Sequence, residues 1–195
     1  MPKTKAQYID PAEILSAEFS YIADTASQAN EDRATVVSFF LIAVGSPLAA
    51  FFSTEFFGID LEAISLVFSG LFLILAVLGT TTILQLARLR AAWYESMLAM
   101  SQMKEFAIKH SEVNIESAFR WRLSTAPKKF KVNSISFYQA LEVAILSGLL
   151  FGAFGYFLIH SITSALPEIV TFLVAAALGL LNTWLQLYLY KRFLD

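Results

Sequence analysis

The sequence predicts an all-α fold, a four-helix transmembrane bundle with cytosolic helical extensions, and three observations predict it. Hydrophobic residues make up 57% of the 195 and charged residues 15%, against about 45–50% and about 25% in soluble domains. Four runs, 34–53, 64–87, 137–159 and 169–190, reach the length needed to cross a bilayer, roughly 20 apolar residues for about 30 Å of hydrocarbon. The 14 Lys and Arg residues lie only in 1–33, in 88–131 and at Lys191-Arg192. Cations are held on the cytoplasmic face, so both ends and the middle segment are expected in the cytoplasm of a bacterial inner (plasma) membrane. The chain then divides into a cytosolic helix (1–33), a first transmembrane hairpin (34–87), a cytosolic helical segment (88–136), a second hairpin (137–190) and a short tail (191–195).

Each element has its own local reason. The first 33 residues are polar and helical in character, without the short apolar run and small-residue cleavage site of a signal peptide. Asp10-Pro11-Ala12-Glu13 is a helix start: Asp10 caps, Pro11 suits the first helical position, and Glu13 completes a capping box. Leu15, Phe19, Ile22, Ala26 and Ala29 follow on one stripe, with no breaker before the first span. Gly45-Ser46-Pro47 predicts a bend in that span, because proline removes a backbone hydrogen bond. The second span is expected to run on through a stripe of Leu89, Trp93, Met97, Met100, Phe106 and Ala107 to Lys109, pairing antiparallel with the first arm. A short helix is expected over 114–122, and a loop containing Pro127 over 124–133. Gly58 eases the first outer turn, and Pro167 opens the fourth helix.

The polar and small residues within the spans are the candidate functional groups. Gln85, Glu142, Asn182 and Gln186 are predicted to form a polar layer near the cytoplasmic boundary, either as interhelical hydrogen bonds or as the lining of an ion pathway with Glu142 as its selectivity group. Gly148, Gly152 and Gly155 on the third span, with Ala175 and Gly179 on the fourth, mark helix-packing faces within one chain or between copies. Arg120, Arg122, Lys128, Lys129 and Lys131 interleave with Phe119, Trp121 and Phe130 before the third span. They suit anionic lipid headgroups, at about 1 kcal/mol per cation, or another anionic ligand. Glu31-Asp32-Arg33 and Arg88/Arg90 flank the membrane at similar depth and are expected to salt-bridge.

Several chemistries are disfavoured. The chain has no cysteine, and His110 and His160 fall on opposite sides of the predicted membrane, so no metal or other cofactor is expected. A net charge of −2 gives no reason to expect nucleic acid. No catalytic constellation or phosphate-binding loop occurs, so the chain is not expected to be an enzyme. The expected partners are the lipid bilayer including anionic lipids, further copies of the chain in a homo-oligomer, and a cytosolic protein.

Ile22-Ala23-Asp24-Thr25-Ala26-Ser27 resembles the Ala-Asp-Thr-Lys-Ala-Ser type of stretch that precedes the first span in cyclic-pyrimidine-responsive membrane effectors of bacterial anti-phage systems, without its lysine. The resemblance implies an oligomer that opens or disrupts the inner membrane when its cytosolic face senses a signal. The function expected is therefore a regulated pore or membrane-perturbing effector. The alternative is a non-conducting scaffold that anchors a cytosolic partner protein.

Overall fold

The computed structural model describes residues 10–53, 61–163 and 166–195, with side chains outside the description at 50–53 and 61–63. Four α-helices account for nearly all of it: α1 (Pro11–Ser53), α2 (Leu61–His110), α3 (Ile135–Ile162) and α4 (Glu168–Leu194). All four are long and apolar enough to cross a membrane, which makes the chain a multi-pass membrane protein. The predicted first outer turn, with Glu55, Gly58 and Asp60, lies outside the described residues, as does the side chain of Glu62.

The first two helices are much longer than a span. With 43 and 50 residues they measure about 65 and 75 Å, at about 1.5 Å per residue. Asp10 caps α1 as expected: its carboxylate accepts from the Ala12 amide at 2.9 Å, and its carbonyl from Ile14 at 3.2 Å. No helix breaker interrupts the arm before the span, and α1 stays one helix through Pro47. Its buried stripe is Ala26, Ala29, Arg33, Val37, Phe40 and Val44, at steps of three and four residues. Leu15 and Phe19 remain partly exposed at the tip.

The hub of the bundle is α2, which packs along α1, α3 and α4, while α3 and α4 pack on each other. Val37, Phe40, Phe72, Leu75, Ile83, Leu86, Val143 and Leu150 form the centre of the core. At one end, Phe157 stacks on Phe72 at 5.5 Å and meets Phe68 at 5.6 Å. At the opposite, basic end, Phe130 sits edge-on to Phe137 and Tyr190, closing the bundle beneath the Lys191 ammonium. The outermost helix, α4, is the least covered by its neighbours.

The link between α2 and α3 differs from expectation. Residues 114–122 form no α-helix; the segment holds two 3-10 turns, Glu116–Ala118 and Leu123–Thr125. The cause is local. The Asn114 side chain takes the Glu116 amide, and the Thr125 hydroxyl takes the Arg122 amide, so both backbone groups are lost to a helical ladder. Asn133 then turns the chain with φ at 63°, a conformation asparagine tolerates, and Ser134 caps α3 through the Phe137 amide. Pro167 occupies the cap position of α4, one residue ahead of the helix, and its carbonyl accepts from Val170 and Thr171.

Candidate functional site

Three of the four helices meet at a polar knot. The Ser147 hydroxyl on α3 donates to the Ala76 carbonyl of α2 at 3.1 Å. It accepts from the Gln186 amide of α4 at 2.7 Å and from Asn182 at 3.5 Å. Its one proton and two lone pairs are thus all engaged. The second Gln186 amide hydrogen reaches Thr80 of α2 at 3.1 Å, and Thr80 itself donates to the Ala76 carbonyl at 3.2 Å. One turn along α4, Thr183 donates to the Ala144 carbonyl at 3.3 Å. The Gln186 carbonyl oxygen is buried without a partner.

This knot differs from the predicted polar layer in both membership and depth. Gln186 is buried and Asn182 half-buried, but Gln85 and Glu142 are exposed on the outside of the bundle. The four residues do not gather within one chain. Ser147 lies 10 residues beyond Phe137, or about 15 Å, near the middle of a core about 30 Å thick. Gln186 reaches that depth because helix side chains tilt towards the helix N-terminus, here away from the basic end. Ser147 and Thr80 were missed by sequence reasoning. The available signal was a hydroxyl beside a glycine in both helices, Gly79-Thr80 and Ser147-Gly148.

The predicted small residues do pack α3 on α4 inside the chain. A Cβ on Gly148 would stand 2.7 Å from the Gly179 carbonyl, and one on Gly179 would stand 2.8 Å from the Gly148 carbonyl. A Cβ on Gly152 would stand 2.9 Å from the Ala175 carbonyl, and one on Gly155 2.6 Å from Leu178. Backbones this close are what small residues permit in lipid. Gly79 serves the same purpose for α2, where Ser147 fills the space a Cβ would need. On their outer side α3 and α4 leave an apolar groove of about 670 Å³, lined by Leu149, Gly152, Tyr156, Phe172 and Leu180 among others.

The predicted basic cluster is divided. Arg122 is not free for an anion. Its guanidinium grips Glu105 of α2 in a two-pronged pair at 2.9 and 3.0 Å and also contacts Glu116. Those bonds hold the Glu105 carboxyl below its ordinary range and raise the Arg122 pKa further. Arg120, Lys128 and Lys131 are exposed, whereas Lys129 is half-buried. Lys128 and Lys129 also contribute their backbone: both carbonyls accept from Arg90, at 3.4 and 3.1 Å.

Arg90 leads to the second departure. The expected salt bridges between the Glu31-Asp32-Arg33 cluster and Arg88/Arg90, carboxylate to guanidinium, are not formed. Among the described residues the ion pairs are those of Arg122. Glu31 and Asp32 face outward, while Arg33 and Arg90 turn into the bundle, 7% and 8% exposed, within electrostatic reach of Tyr190. The stripe that continues through Val37 and Phe40 carries Arg33 inward and leaves its two acidic neighbours outside.

Compared with protein-family models, curated proteins and solved structures, the chain matches none of them.

Proposed function

We propose that this chain acts as an oligomeric pore or membrane-perturbing effector of a bacterial inner membrane, with both ends cytosolic and α1 and α2 projecting as the controlling element. One observation carries the proposal: Glu142 stands outside the bundle in an otherwise apolar row. Ile135, Tyr138, Glu142, Ile145 and Leu149 follow one another on α3 at alternating three- and four-residue steps, all exposed. A carboxylate facing hydrocarbon is unfavourable, whereas the same carboxylate facing a water-filled axis between copies is solvated. The spacing is that of a helix–helix seam. Copies associated through it bring their Glu142 side chains together, and a ring of carboxylates attracts cations.

The interior of a single chain supports the same reading by exclusion. Phe40, Ile83, Leu86, Val143 and Tyr190 fill it, and the knot around Ser147 ties α2, α3 and α4 together, so a conducting path belongs between copies. The chain contains no cysteine, so Leu149→Cys and Leu173→Cys are clean probes of two outer faces. Oxidation in membranes is expected to give far more disulfide-linked dimer through Leu149→Cys than through Leu173→Cys. Equal, low cross-linking at both would remove the α3 seam.

A second reading has its own observation. The free end of the α1–α2 pair holds an apolar groove of about 360 Å³ lined by Leu15, Phe19, Met103, Phe106, Ala107 and Phe119. Such a groove suits a segment of a cytosolic protein, as a non-conducting scaffold would need. Vesicles that stay sealed around the reconstituted protein favour the scaffold.

A further inference from the structure

Arg33 and Arg90 are two buried cations that no anion among the described residues balances. Each is less than a tenth exposed, and among the described residues no carboxylate pairs with either. The Arg33 Nε and Nη1 donors are buried without acceptors, and only Nη2 is used, on Asn30 at 2.8 Å. Arg90 is better held, with the Lys128 and Lys129 carbonyls as acceptors and the Trp93 ring beneath it at 4.2 Å. Those contacts fix its guanidinium without neutralising it. The two charges stand within electrostatic reach of each other and of Tyr190. Like charges left together away from water repel, and donors without acceptors add to the cost. The natural complement is one group that carries negative charge and several acceptor oxygens, and arginine forks match phosphate best.

We infer that Arg33 and Arg90 form a binding site for a single phosphate group at the basic end of the bundle, where α1 and α2 leave the first hairpin. Its position suits a phospholipid headgroup or a soluble phosphate-bearing molecule, and the chemistry is the same for both. Arg33 supplies the free donors and Arg90 the fixed second charge. The exposed Lys128 adds attraction without a direct contact. Because α1, α2 and the loop before α3 all contribute, occupancy ties the projecting arm to the bundle.

The test uses the full chain and follows its thermal unfolding midpoint. One arm uses phosphatidylcholine vesicles with and without phosphatidylglycerol; the other uses inorganic phosphate and pyrophosphate, with sulfate-free chloride buffer as baseline. The expected result is a rise in midpoint with at least one phosphate source, lost in Arg33→Gln and in Arg90→Gln but retained in Lys109→Gln, an exposed cation at the far end of α2. A response to phosphatidylglycerol alone assigns the lipid, and a response in the soluble arm assigns a cytosolic ligand. Native mass spectrometry, counting phospholipid retained by parent and Arg33→Gln protein, keeps the test valid if a variant folds poorly. No midpoint shift and no retained phospholipid in the parent would overturn the site. So would a midpoint rise that persists undiminished in both Arg33→Gln and Arg90→Gln.

Discussion

The Gln186 amide donates to Ser147 at 2.7 Å and to Thr80 at 3.1 Å, so one side chain of α4 joins α3 and α2 near mid-membrane. Interhelical hydrogen bonds in membranes average only about 0.6 kcal/mol each. The Gln186 carbonyl oxygen, moreover, is buried and unpaired. Gln186→Leu removes two modest bonds and one unmet acceptor together, and its expected cost is within about 1 kcal/mol. Ser147→Ala deletes fewer atoms but strands a Gln186 donor, and is expected to cost more, about 1–3 kcal/mol. Unfolding of the two variants in mixed micelles checks the order, and the double variant should behave like Gln186→Leu.

The glycines divide into two classes. Gly179 faces the Gly148 carbonyl, where a Cβ would stand at 2.8 Å, while Gly45 and Gly70 have nothing within 4 Å of such an atom. Gly179→Leu should force α3 and α4 apart and cost about 1–3 kcal/mol or more. Gly45→Ala and Gly70→Ala should stabilise their helices by about 0.5–1 kcal/mol. The same unfolding measurement reads all three.

The loop between α2 and α3 should respond to acid. Arg122 holds the Glu105 carboxyl below its ordinary value. The contribution of that pair is therefore fully present above the ordinary carboxylate range and is lost as pH falls through the lowered value. Hydrogen exchange over residues 119–125, corrected for the intrinsic rate, should speed up on acidification. Glu105→Gln should speed it at neutral pH, and the variant should show no further acid step from this pair.

Topology has a direct readout. Single cysteines at Glu13, Ser124 and Asp195 should react only with reagent that has entered the cell, and one at Leu166 should react from outside. Labelling of Ser124→Cys and Leu166→Cys from the same side would contradict the alternating arrangement.

Much of the fold was legible because its signals are long. Four apolar runs, an uninterrupted arm from Pro11 and the stripe through Met97 gave the helices and their extensions. Facing was harder to read. A span apolar on every side has no polar face to orient it, so the glycine beside each hydroxyl was the one cue that set inward Ser147 and Thr80 apart from outward Glu142 and Gln85. Arg33 misled for the opposite reason: Glu31, Asp32 and Arg33 read as one charged cluster facing Arg88 and Arg90, but adjacent helical positions point apart by about 100°. Arg122 looked free because its partner Glu105 lies 17 residues away, across a turn no local pattern predicts.

If copies of this chain conduct around Glu142, as proposed, the flux they carry depends on that carboxylate. Cation flux from liposomes carrying the parent protein, compared with Glu142→Gln at equal incorporation, tests it most directly. The parent should leak cations faster than empty vesicles, and Glu142→Gln should lower both the flux and its preference for cations over anions. Equal flux from the two proteins, or no flux from the parent, would contradict it.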